Sequence, residues 1–220
     1  MDPVPPPPTP APDRPSFDGP LAPVLPVVVM LAVMWISEGL DTVMDGRLDR
    51  FGIRPRRVDG LDGVVLSPFL HGGFGHLIAN TVPFVVLGGA ICLGSRRRFF
   101  HVTVIVAIVA GLGTWLTGQT NSIHIGASGL VFGYVLYLVS RGIFARKVTY
   151  LLGGALVLSV YGGVLWGLLP TPGVSWQGHL FGAAGGVAAA SILHGDRPQR
   201  GDVGDIGRLG GDPPARSRRP

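Results

Sequence analysis

The chain has 220 residues, 47% of them hydrophobic and 14% charged, and carries a formal net charge of +5. No Asp or Glu occurs between Asp62 and Asp196, and from Phe99 to Gly195 the only charged side chains are Arg141, Arg146 and Lys147. Apolar runs of about 18 or more residues are long enough to cross a hydrocarbon layer ~30 Å thick, so this pattern excludes a soluble domain and describes an integral membrane protein.

Residues 1–20, with "PPPP" at 5–8, are Pro-rich and without periodicity, and are expected to be a disordered N-terminal segment. No basic segment precedes the first apolar run, so this stretch does not resemble a signal peptide. Six spans follow, at about 21–40, 77–95, 99–117, 127–141, 148–168 and 177–194. Two of the breaks are set by turn chemistry in otherwise uncharged sequence: "GQTNS" at 118–122 and "PTPG" at 170–173. A lipid-exposed turn leaves backbone groups without partners, so turns belong at the surface. Residues 195–220 are rich in Gly, Arg, Asp and Pro and are expected to be a disordered tail. The expected fold class is therefore all-α, a polytopic bundle of six transmembrane helices over residues 21–194.

Orientation follows from Arg and Lys in the short loops. Arg96, Arg97 and Arg98 separate spans two and three, and Arg141, Arg146 and Lys147 separate spans four and five. Both loops are expected on the cytoplasmic side, together with both termini, in a multi-pass protein of the cell membrane. The loops at 118–126 and 169–176 then face outward, as does the long segment 45–75, whose five Arg and four Asp nearly balance. The basic balance reads as topology and not as a nucleic-acid footprint, and no nucleic-acid partner is expected. A single cysteine, Cys92, leaves no intrachain disulfide or Cys-x-x-Cys metal site.

Glycine is spaced for close packing. Gly178, Gly182 and Gly186 form a GxxxGxxxG ridge on the last span, and Gly129 and Gly133 form a GxxxG on the fourth. Small residues at that spacing let helix backbones approach in lipid, so these two spans are expected to touch. The polar residues of the spans then gain meaning, because buried polar groups in a membrane are costly and often functional. Ser128 opens the fourth span and His179 stands near the start of the sixth. His76 and Asn80 lie four residues apart on the second, with His71 five residues before His76. All sit near the outward end.

A serine hydroxyl needs a base before it can act as a nucleophile, and a neutral imidazole serves near pH 7. Ser128 is thus the candidate nucleophile and His179 the candidate base. The Ser128 backbone N–H, His76 and Asn80 are candidate donors for the oxyanion of an acyl transfer. The last five spans offer no acidic third member. Glu38, Asp41 and Asp45 at the end of span one stay open for that role, and a Ser–His dyad is the simpler reading.

These residues resemble the rhomboid family of intramembrane serine proteases. "GASG" at 126–129 resembles its GxSG nucleophile motif, "GHLFGAAGG" at 178–186 its final-span motif, and "HGGFGHLIAN" at 71–80 its second-span motif. The resemblance covers about residues 20–194 and implies Ser128 as nucleophile, His179 as base, and His76 and Asn80 as oxyanion stabilisers. Gly126, Gly129, His71 and Gly182 are implied in support. Phe132 stands where a Tyr often stacks on the catalytic imidazole, and the Trp-Arg pair of many relatives is missing from the first outward loop. The resemblance further implies cleavage of transmembrane substrates near their outer end, with small side chains at the cut and a substrate helix that unwinds easily. It also implies no cofactor and no metal, a gate at the fifth span, where Gly162, Gly163 and Gly167 ease displacement, and a cap at "LPTPGVSW" (169–176). The alternatives are a catalytically inactive, client-binding protein of the same fold, a small transporter, and a metal or haem site built on His71, His76 and His179. The first is expected to lose Ser or His, the second needs polar residues through the full depth, and the third finds no carboxylate nearby. No oligomeric state is assigned.

Overall fold

The computed structural model describes residues 22–194, and the two terminal segments expected to be disordered lie outside the described residues. Seven α-helices follow in chain order: α1 Leu25–Val43, α2 Gly63–Leu66, α3 Phe74–Gly94, α4 Arg96–Thr117, α5 Ser128–Ala145, α6 Val148–Tyr161 and α7 Trp176–Leu193. Among the described residues there is no strand, only an isolated antiparallel bridge between Ile53 and His124.

Local chemistry accounts for the helix ends. α1 is entered with a proline in its first turn, where the missing N–H would have no helical partner anyway. α3 and α4 form a tight hairpin across Ser95, whose hydroxyl accepts from the Arg98 N–H at 3.3 Å and caps α4. α3 starts after Gly73, whose φ of +118° is open to glycine and strained for other residues. α6 does not run straight on to its turn. It tightens at Gly162 into a 3-10 helix that ends at Leu168, as helix ends with poor cohesion often do.

Five segments are long and apolar enough to cross a membrane: Ala22–Val43, Phe74–Gly94, Arg96–Thr117, Ser128–Ala145 and Val148–Leu168. These are five of the six expected spans, each within a few residues of its expected bounds. The sixth, α7, has 18 residues but carries Gln177 and His179 in its first turn and is otherwise rich in Gly and Ala. Its modest apolarity reflects its position, because α7 lies between α4 and α5 and faces helices more than lipid.

The small residues of α7 are what permit that position. A Cβ on Gly182 would land on the Gly129 carbonyl oxygen, and one on Gly186 on the Gly133 carbonyl oxygen. On the opposite face, the ring of Phe181 fills the space a Cβ on Gly113 of α4 would need. Beneath these contacts the core is fully packed, with Tyr134, Tyr137, Phe84, Phe99, Met34 and Leu87 under 2% exposed. Even the buried Tyr134 hydroxyl is partnered, at 2.8 Å from the Thr103 hydroxyl, as a polar group at that depth requires.

One end of the bundle is covered by the segment between α1 and α3. Ile53 exchanges both backbone hydrogen bonds with His124, at 2.9 and 3.0 Å. The Arg56 guanidinium donates to the carbonyls of Leu116 and Gly118 at 3.1 and 2.8 Å. A cation there meets the unpaired carbonyls and negative dipole end of α4. Arg57 and Arg54 both reach Asp59, at 2.8 and 3.0 Å, which holds the Asp59 carboxyl down at about 2. This covered end is where α3, α5 and α7 begin.

Candidate active site

Ser128 is the first residue of α5 and His179 lies in the first turn of α7. The close approach of these helices, set by Gly129 and Gly182, brings the Ser128 Oγ to 2.8 Å from the His179 Nε2. The opposite ring nitrogen, Nδ1, is 2.7 Å from the Gly167 carbonyl oxygen. A carbonyl can only accept, so Nδ1 carries the proton and Nε2 presents its lone pair to the serine hydroxyl. The ring is also stacked on Phe132, with centroids 4.2 Å apart and planes 8° from parallel. Orientation, tautomer and partner of the imidazole are thereby all determined.

Gly167 is the contribution that sequence reasoning missed. It was legible only as a flexible residue of the fifth span, because a backbone acceptor leaves no mark in residue type. The acidic side chains considered for its role lie elsewhere. Glu38 and Asp41 are buried at the end of α1, where Asp41 accepts from the Leu48 N–H at 2.5 Å, and neither lines the cavity that holds Ser128 and His179.

That cavity has a volume of about 930 Å³ and contains Ser128, His179, His76 and Asn80 in its wall, with Pro170–Gln177 across its mouth. The Asn80 amide nitrogen donates to the His76 carbonyl at 3.1 Å, one turn back on its own helix, and has a second N–H to offer. His76 packs its ring on Gly126, where a Cβ would sit 2.6 Å from Cε1. Gly126 has φ +114°, so both the conformation and the space favour glycine there. His71 is 1% exposed and accepts the Ala127 N–H on Nε2 at 3.3 Å. Burial and the neighbouring His76 ring push His71 down to about 4, so it stays neutral and holds the backbone just ahead of Ser128. Among the described residues no group of three or more His, Cys, Asp or Glu is arranged to hold a metal ion.

All nine residues singled out in the sequence meet around this one end of the bundle. Ser128 and His179 are in direct contact, and Phe132, Gly129 and Gly182 fix that contact. His71 and Gly126 shape the approach to Ser128, while His76 and Asn80 line the cavity without a direct bond to it.

Comparison with known proteins gives the family. The Rhomboid domain profile matches residues 60–196. An uncharacterized protein of Mycobacterium tuberculosis is 46% identical over 176 residues, covering 76% of this chain and 73% of that protein. One from Mycobacterium leprae is 42% identical over 176 residues, covering 76% and 70%. A candidate rhomboid protease of Bacillus subtilis, YdcA, is 26% identical over 172 residues, covering 76% and 86%. With more than half its length matched, this multi-pass membrane protein belongs to the rhomboid family.

Proposed function

We propose that this chain is an intramembrane serine endopeptidase that cleaves transmembrane segments near the outer membrane face with a Ser128–His179 dyad. The observation that carries the reading is the 2.8 Å contact from Ser128 Oγ to His179 Nε2, with Nδ1 committed to Gly167. His179 Nε2 takes the hydroxyl proton as Oγ attacks the scissile carbonyl carbon, and the carbonyl π electrons move to oxygen. The oxyanion forms beside the start of α5, where the first N–H groups of a helix have no helical acceptors. The Asn80 amide and His76 ring complete the donor set from the facing wall. His179 then gives its proton to the leaving amine, and a water from the cavity hydrolyses the acyl-enzyme by the same steps in reverse order. Gly167 does for the imidazole what a carboxylate does in a triad: it holds the tautomer and favours the imidazolium as it forms.

The polarity of the loops supports the placement. The basic residues 96–98, 141, 146 and 147 lie at the α3–α4 and α5–α6 turns, at the end opposite the cavity, and their charge supports a cytoplasmic position for that end and for both termini, with the cavity opening outward. Substrates are membrane proteins whose transmembrane segment unwinds easily, because a peptide bond inside a helix is shielded from Ser128.

The test is cleavage of a single-span substrate in liposomes by wild type, Ser128→Ala and His179→Ala. Wild type is expected to cleave and each variant to lose activity by at least ~10³-fold, as when members of a catalytic unit are removed. Normal cleavage by Ser128→Ala, or a wild type that binds substrate and leaves it intact, contradicts the proposal.

A further inference from the structure

A second Ser–His pair stands just outside the first. The His124 Nδ1 is 2.6 Å from the Ser175 Oγ. His124 lies four residues before Ser128, and Ser175 four residues before His179. The two chain segments that meet at Ser128–His179 therefore meet twice, with the roles exchanged: the outer histidine is on the serine's segment and the outer serine on the histidine's.

The outer pair is built with care for geometry. Ser122 donates its hydroxyl to the Gln119 carbonyl at 2.6 Å, so at 2.8 Å from His124 Nε2 its oxygen is the acceptor. Nε2 then bears the proton, and Nδ1 accepts from the Ser175 hydroxyl. Burial holds the His124 ring below the usual imidazole range, which keeps it neutral with one donor and one acceptor. The ring has no slack: a Cβ on Gly118 would lie 2.8 Å from its Nε2, and its backbone is paired on both sides with Ile53. Ser175 occupies the cap position of α7, yet its side chain caps no N–H there. A serine at that position ordinarily accepts from the first turn; this one gives its hydroxyl to His124. Its carbonyl, meanwhile, accepts the His179 N–H at 3.1 Å, so a shift of Ser175 is passed on to the base.

We propose that His124 and Ser175 form a clasp that sets the separation of Ser128 and His179, making His124 a positioning residue for the dyad. The clasp rests on the dyad reading above. It acts on the chemical step and not on substrate binding, because displacing a reacting group by a fraction of an ångström costs rate even when every contact to substrate survives.

The experiment measures kcat and KM for a single-span substrate, the rate of Ser128 labelling by a fluorophosphonate, and the melting temperature. The proteins are wild type, His124→Phe, Ser175→Ala, the double variant and His124→Asn, all as full chains in detergent. Each single variant is expected to lower kcat and the labelling rate about tenfold with KM within about twofold. The double variant should be no worse than either single one, because both remove the same bond. Asn at 124, whose carbonyl oxygen overlays Nδ1, should restore most of the rate. Wild-type rates in Ser175→Ala, losses that multiply in the double variant, losses confined to KM, or losses that follow the melting temperature each overturn the clasp while leaving the dyad in place. A wild type that neither cleaves nor labels overturns the dyad reading, and the clasp falls with it.

Discussion

α7 carries His179 and the 3-10 extension of α6 meets its ring through Gly167, and the two are held in the bundle in opposite ways. α7 presents Gly182 and Gly186 to the carbonyls of α5 and Phe181 to a glycine of α4, leaving no room for a methyl group at those points. α6 buries a single residue, Gly154, against Val139, and points Leu152, Leu156 and Val160 outward, all more than 60% exposed. Its 3-10 extension has no buried residue, and Trp166 there is 75% exposed. So Ser128 and His179 are carried by helices packed backbone to backbone, whereas the Gly167 carbonyl that meets the His179 ring comes from a segment with no buried residue. The Ser128–His179 contact is thus closely packed, and the Gly167 carbonyl beside it is sparsely packed.

That contrast can be broken by adding single atoms. Gly182→Ala drives a methyl into a backbone carbonyl that cannot swing away, so α5 and α7 must part. The expected cost is about 2–3 kcal/mol, at the upper end for overpacking, with collapse of activity, measured by SDS-titrated unfolding alongside substrate cleavage. Wild-type stability in this variant would mean the two helices are not locked. Gly167→Ala places its Cβ 2.9 Å from Phe132 Cζ and 3.1 Å from His179 Nδ1, yet the segment around it is free to yield. Here stability should change by less than about 1 kcal/mol, while kcat falls roughly 10- to 100-fold as the orienting bond lengthens. Equal losses of stability in the two variants would erase the difference between α6 and α7.

Smaller effects refine the picture. Phe132→Leu removes the stacked ring and should lower kcat about fivefold, whereas Phe132→Tyr should leave it within about twofold, since the aromatic face is what meets the imidazole. The closely packed side also has an acid limit. His71 binds its proton at about 4 in the folded protein and at 6.5 when free, so the unfolded chain takes up more protons between these values. Stability should therefore be full above about pH 6.5 and fall progressively toward pH 4, and His71→Asn should flatten that slope in pH-dependent unfolding. At the other extreme, a Cβ on Gly153 of α6 meets nothing within 4 Å. Gly153→Ala should be neutral or stabilising by up to about 1 kcal/mol, with cleavage unchanged.

Much of this architecture was legible in the sequence. Long uncharged runs located five spans directly, and the polar breaks at 118–122 and 170–173 separated α4 from α5 and α6 from α7. The glycine ridges foretold that α5 and α7 touch, and with the shared outward depth of Ser128 and His179 and the chemistry of a hydroxyl beside an imidazole this paired the two residues. What escaped was whatever depends on backbone atoms or on distant segments. The Gly167 carbonyl has no side chain to announce it. His124 stands in the outward loop 118–126, and nothing in the sequence links it to its partner Ser175, 51 residues away. The covered end was similarly hidden: the Arg-rich segment before α3 reads as a charged loop, and only the fold shows Arg56 closing the end of α4.

The central claim is that Ser128 is made reactive by His179. Mass-spectrometric mapping of the fluorophosphonate adduct on the full chain in liposomes tests it most directly. The account predicts one adduct, on Ser128, formed by wild type and reduced to background in His179→Ala. An adduct on another residue, or undiminished labelling of Ser128 without the imidazole, would contradict it.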